Sequence, residues 1–320
     1  VTREDRGAGE VVLVKLGGSL ITDKSTPDTA RHDVIARLAE EIAEVLEEAR
    51  SADRNTGPAA PHAGRPSPPR RLVLGHGSGS FGHAAALRYR VHEGVRRSDP
   101  EARRTLLAGV SETQERAAAL HRLVLGALRN AGLAPFSVAP SSAVVAAGGR
   151  PVAFAAEPVA LALDSGLLPV VFGDVVMDRE QGWAICSTES ALAALERALA
   201  ARGIGIHSAL WAGATPGVLD AAGSPIPWLT PATAAQALAA AGGAAGTDVT
   251  GGMLHRLEAT LELARRGTPS LIFDGREPGA LARVLVLAAA LDAMRGEGAA
   301  GSTAASEIRG TRVLPDSTDR

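Results

Sequence analysis

The sequence predicts an α/β fold, a three-layer αβα sandwich with a mainly parallel central sheet. Two observations point there. Short apolar runs of strand length alternate with helix-length stretches over most of the 320 residues, the pattern that places helices on both faces of a parallel sheet. Glycine-rich turns follow the first two apolar runs, and a third glycine pair opens a late helical stretch. Hydrophobic residues make up 46% and charged residues 21%, so a core of ordinary size can be buried without disulfides or metals.

Taken in order, residues 1–10 read as a flexible extension and 11–295 as a single domain. Residues 11–16 (VVLVKL) form a continuous apolar run ending at a glycine pair, the mark of a buried strand entering a tight loop. Val34, Ile35, Leu38, Ile42, Val45 and Leu46 recur at helical spacing and predict an amphipathic helix over 33–50. Residues 51–70 are rich in Pro, Gly and Ala and predict a surface loop. A second strand is expected at 71–75, a long helix at 101–131, and strands near 135–138, 152–154, 168–172, 175–178 and 183–186. A helix over 188–202, a strand near 204–210 and a hairpin over 217–228 follow. Helices near 231–241 and 252–266, a strand at 270–273 and a helix near 277–294 complete the domain. Residues 296–320 are small and polar and read as a mostly flexible tail.

Composition removes several functional classes. Net charge is −2 and the basic residues are scattered, so nucleic acid is not an expected partner. No stretch has the length and apolarity of a membrane span, and VTREDRGAGE at the N-terminus lacks a signal core. Cys186 is the only cysteine, which excludes an internal disulfide framework and fits a reducing, cytoplasmic setting. It ends an apolar run with no adjacent base, so a catalytic role for it is not expected.

The chemistry is concentrated in three glycine loops: Lys15-Leu16-Gly17-Gly18-Ser19, His76-Gly77-Ser78-Gly79-Ser80-Phe81-Gly82-His83, and Asp248-Val249-Thr250-Gly251-Gly252-Met253. Phosphate recognition needs dense N–H donors and little side-chain bulk, and a helix following the loop adds its positive end. Three such loops, with Lys15 and Lys24 near the first, point to several phosphates held together. The P-loop pattern G-x-x-x-x-G-K-[ST] is absent. Gly77, Gly79 and Gly82 match G-x-G-x-x-G after a strand, but the next stretch, YRVHEGVRRSDPE, offers no strand with an acidic end, which argues against a dinucleotide fold.

KLGGSLITDK at 15–24, GHGSGSFGH at 75–83, GDVVMD at 173–178 and DVTGGM at 248–253 together resemble isopentenyl phosphate kinase, a branch of the amino acid kinase superfamily, over about residues 11–303. The resemblance implies an amino acid kinase-like fold, with the acceptor in the N-terminal half to about residue 180 and ATP in the C-terminal half. It further implies ATP and isopentenyl phosphate as substrates, Mg²⁺ as cofactor and a homodimer.

Site residues follow from the same resemblance. Lys15 matches the lysine that contacts the transferring phosphoryl group, and Lys24 matches a second lysine near the ATP phosphates, although a lysine past a strand can be a solvated charge only. Gly17, Gly18, Ser19 and Ser78, with Gly213, Gly251 and Gly252, are expected around ATP. His83 is expected to hydrogen-bond the acceptor's phosphate; imidazole donates in either protonation state. The alternative is a helix-capping or core histidine. Gly77 and Gly173 would present backbone to that phosphate, and Asp174 would orient groups around it or simply hold a turn. Glu189 stands where the superfamily has an aspartate aligning two cations, while Ser187 reads as an N-cap. The acceptor's tail is expected among Phe81, Ala84, Leu87 and Val144. Two departures stand out. Arg256 replaces a lysine, and 213–218 (GATPGV) lacks the aspartates usual in the nucleotide loop. These departures keep a non-catalytic nucleotide-binding relative open, and a fosfomycin-type phosphonate kinase, which shares the histidine, is the other alternative.

Overall fold

The computed structural model describes residues 11–56, 69, 71–94, 100–220, 222–235, 251–288 and 309–316. Its strands are β1 (Val11–Leu16), β2 (Arg71–His76), β3 (Pro135–Val138), β4 (Val144–Ala147), β5 (Arg150–Phe154), β6 (Leu168–Phe172), β7 (Asp174–Asp178), β8 (Gly182–Cys186), β9 (Ile206–Gly213), β10 (Trp228–Leu229), β11 (Ser270–Asp274) and β12 (Thr311–Val313). An eight-stranded sheet has the order β10-β12-β11-β9-β1-β2-β6-β3, and a four-stranded sheet the order β5-β4-β7-β8. In the larger sheet β2–β6, β3–β6, β9–β11 and β10–β12 are parallel, while β11–β12 is antiparallel. The uninterrupted apolar runs explain this arrangement. VVLVKL is buried at every position, as a strand covered on both faces must be.

The chain divides into two compact units. One comprises the chain up to Val14, Glu40–Leu72 and Gly205 onward; the other comprises Lys15–Ala39 and Val73–Ile204. In the first, a buried glutamate on the long helix α2 (His32–Thr56) caps the helix at Ala280–Leu287. Glu41 accepts from the N–H groups of Gly279 and Leu281 at 3.0 Å and of Ala282 at 3.2 Å, which satisfies donors that a helix start leaves orphaned. In the second, Trp183 packs with Val91 and Val175, and its indole N–H donates to the Val91 carbonyl at 3.0 Å.

Several expectations need correction. The helix foreseen over 33–50 runs to Thr56, into the stretch expected to be loop from 51. Residues 57–68 lie outside the described residues. The tail expected over 296–320 contains β12, whose Thr311 and Val313 are fully buried. Strand β4 and the helices α5 (Pro140–Ala143) and α6 (Glu157–Asp164) were not foreseen. The 217–228 hairpin is present in reduced form, with one antiparallel bridge between Leu219 and Pro225.

Candidate active site

In the unit Lys15–Ala39 and Val73–Ile204 the first two glycine loops interlock. The first opens the short helix α1 (Gly18–Ile21), and the second opens α3 (Gly79–Arg88). A Cβ on Gly18 would stand 2.7 Å from the Gly79 nitrogen, and one on Gly77 would stand 2.8 Å from the Gly18 nitrogen. Only bare backbone fits on both sides. Gly79 also has φ +52°, a conformation L side chains rarely adopt. The hydroxyl of buried Thr22 fastens the pair, donating to the Gly18 carbonyl at 2.8 Å and accepting from the Ser80 N–H at 3.0 Å.

Lys15 ends β1 as a buried cation, its Nζ 2.6 Å from Oε1 of Glu189. Glu189 lies in the first turn of α7 (Thr188–Ala200), where the helix dipole favours a carboxylate. The start of that helix is capped by Ser187, whose Oγ accepts from the Ser190 N–H. Glu189 is thus held against the lysine by the helix entry as well as by charge.

His83 lies on α3 and is exposed, which is not the place of a core histidine. Crowding by surrounding protein lowers its pKa and the nearby charge of Lys24 lowers it further, while Glu189 opposes both. The ring therefore shares an electrostatic neighbourhood with Lys24 and with Glu189, the partner of Lys15. Lys24 is exposed.

Gly173 joins the same region. A Cβ there would stand 3.3 Å from Thr188 Oγ1 and 3.5 Å from the Ser78 nitrogen. Asp174 is buried and uses its oxygens on the N–H groups of Ser141, at 3.1 Å, and Val175, at 2.8 Å. Burial raises its pKa against those bonds. The bonds it makes fasten α5 to β7. Phe81 and Val144 are buried, but Leu87 is 64% exposed and closes no pocket. Cys186 is buried, and burial pushes its thiol up to about 12, far from a nucleophile at neutral pH.

In the other unit, Arg256 is buried on the helix Gly251–Arg265, with its guanidinium against Gly213 at the end of β9. A Cβ on Gly213 would stand 2.7 Å from Arg256 Nη1. The 213–218 loop is fastened by β12, because Thr311 Oγ1 accepts from the Val218 N–H at 2.8 Å. Gly251 and Gly252 open the helix that carries Arg256, while Asp248, Val249 and Thr250 lie outside the described residues. Among the described residues no group of three or more His, Cys, Asp or Glu could hold a metal ion.

Sequence reasoning missed Thr22, Thr188 and the histidine pair His76–His121. Thr188 donates to the His76 carbonyl at 2.6 Å, and His76 Nε2 lies 2.9 Å from His121 Nδ1. Their partners are distant in sequence, so no local pattern announces them.

The amino acid kinase family model matches residues 10–274. Isopentenyl phosphate kinase of Haloferax volcanii is 32% identical, the match covering 85% of this chain and 98% of that protein. Its counterpart in Methanothermobacter thermautotrophicus is 28% identical over 95% of this chain and 98% of that one. A solved isopentenyl phosphate kinase superposes with a TM-score of 0.69 at 25% identity, covering 95% of this chain and all of the other. The chain belongs to the amino acid kinase family, in its isopentenyl phosphate kinase branch.

Proposed function

We propose that this protein transfers the γ-phosphoryl group of ATP to isopentenyl phosphate, giving isopentenyl diphosphate. The observation that carries the reading is the buried Lys15–Glu189 pair, whose lysine stands just before the first of two interlocked glycine loops, the second of which opens the helix that carries His83. Donor and acceptor are both anions, so catalysis here is positioning plus charge neutralisation. Lys15, aligned by Glu189, contacts the phosphoryl group in transfer. Gly17, Gly18 and Ser19 offer backbone N–H groups to ATP, with Lys24 nearby, while Ser78, expected at ATP from the resemblance, lies in the loop assigned to the acceptor. His83, Gly77 and Gly173 hold the acceptor's phosphate. Burial and the nearby Lys24 lower the pKa of His83, which favours the neutral imidazole with one N–H to donate; an arriving phosphate dianion favours its protonation. Arg256, Gly213, Gly251 and Gly252 serve the nucleotide in the other unit.

Mg²⁺ belongs to this proposal as an ion delivered on the nucleotide's phosphates. A homodimer belongs to it through the family resemblance. A cytoplasmic setting is supported by the buried free thiol of Cys186. Among the described residues no helix is long and apolar enough to cross a membrane.

The test is an ATP turnover panel with isopentenyl phosphate, dimethylallyl phosphate, fosfomycin and glutamate. Isopentenyl phosphate should give the highest kcat/KM. Preference for fosfomycin would move the protein to phosphonate chemistry, and ATP binding without turnover of any acceptor would make it a non-catalytic relative.

A further inference from the structure

His76 and His121 take no part in the chemistry above, yet both are buried beside the second glycine loop. His76 Nδ1 lies 3.2 Å from the carbonyl oxygen of Gly77. A carbonyl only accepts, so the His76 proton sits on Nδ1. Nε2 of the same neutral ring then accepts, at 2.9 Å, from Nδ1–H of His121. Nε2 of His121 accepts in turn from the Ser137 hydroxyl at 2.8 Å. Every tautomer is set by the carbonyl at one end. Burial keeps both rings neutral at pH 7, His76 being lowered to about 4 and His121 to about 3. The two rings lie side by side and nearly parallel, 20° apart, and His121 stacks on Phe172 at a centroid distance of 4.2 Å, which limits their rotation.

The backbone carbonyl of His76 faces the same region. Its carbonyl accepts from the Gly173 N–H at 3.1 Å and from Thr188 Oγ1 at 2.6 Å. A trans peptide directs its C=O and N–H to opposite sides. With the Gly77 carbonyl drawn to the ring, the Ser78 N–H is turned away from it; the Ser78 nitrogen lies 3.5 Å from where a Cβ on Gly173 would stand.

We propose that His76, held by His121 and Ser137, is a positioning residue that fixes the Gly77–Ser78 peptide against Gly173, so that the Ser78 N–H is presented to the acceptor's phosphate. The proposal rests on the reading that this loop holds that phosphate.

His121→Phe keeps the stacked ring and removes the donor to His76. It should raise the KM for isopentenyl phosphate at least about 10-fold, with the KM for ATP changed less than about two-fold. His121→Asn, which restores an N–H near the Nδ1 position, should recover most of the acceptor affinity. Unchanged acceptor KM in a folded His121→Phe protein, or equal loss of both substrates, would overturn the proposal. A wild-type protein that leaves isopentenyl phosphate untouched would instead sink the parent reading. A readout independent of activity is ¹⁵N NMR of the imidazoles in wild-type protein. It should show Nδ1–H on His76 and His121, and Nε2–H on His76 would overturn the proposal by itself.

Discussion

In the unit Lys15–Ala39 and Val73–Ile204, Gly18 and Gly77 meet backbone, whereas in the other unit Gly213 meets the tip of a side chain, the guanidinium of Arg256. The difference decides how each place tolerates change. Two glycine loops packed backbone on backbone have no rotamer with which to adapt. A guanidinium can swing aside. The interlocked glycine loops are therefore built as a fixed mould. In the other unit the corresponding groups are a long cation and a loop tied down by Thr311.

The contrast can be broken most forcefully at Lys15. Lys15→Met leaves Glu189 buried without its cation, which typically costs about 3–5 kcal/mol, and activity should be abolished. Adding Glu189→Leu should restore much of the stability in chemical denaturation but none of the turnover. Rescue of both would mean that the pair is structural only.

Next in size is acid sensitivity. His76 and His121 have folded pKa values of about 4 and about 3, below their ordinary value of 6.5. The unfolded chain binds protons first as pH falls. Their contribution to stability is therefore intact above pH 6.5 and drains away as pH drops toward these folded values, by up to roughly 1.4 kcal/mol per pH unit for each ring. Urea melts from pH 7.5 to 4.5 should show this slope, and His121→Phe should flatten it.

Gly18→Ala forces a backbone shift and should cost about 1–3 kcal/mol, together with most of the kcat/KM. Gly213→Ala should be milder, below about 1 kcal/mol, because Arg256 can move. Its effect should fall on the KM for ATP, and Arg256→Lys in the same background should relieve the crowding. Equal damage from the two glycine substitutions would remove the distinction between mould and adjustable grip.

How much of this was legible in the sequence differed by element. The strands at 11–16, 135–138 and 168–172 were read to the residue; the first and last are continuous apolar runs, and β3 follows the Gly132 turn that ends the helix Pro100–Asn130. Strand β4 escaped because VVAA merges into neighbouring small apolar residues without a turn signal, and β12 because three residues in a polar tail carry no pattern. The glycine loops and Lys15, Glu189 and His83 were legible as a combination of motifs. The groups that lock those loops were not. Thr22 binds Ser80 across 58 positions, His76 binds His121 across 45, and Thr188 reaches the His76 carbonyl across 112. Threonine and histidine in apolar surroundings look alike whether or not tertiary structure supplies a partner.

The central claim is that the acceptor's phosphate is held by His83 and the second glycine loop, separately from the nucleotide. Steady-state kinetics of His83→Ala with both substrates varied tests it most directly. The KM for isopentenyl phosphate should rise about 10- to 100-fold, the loss of a hydrogen bond to a charged group, while the KM for ATP stays near its wild-type value. Equal weakening of both substrates, or no change in the acceptor KM, would contradict the account.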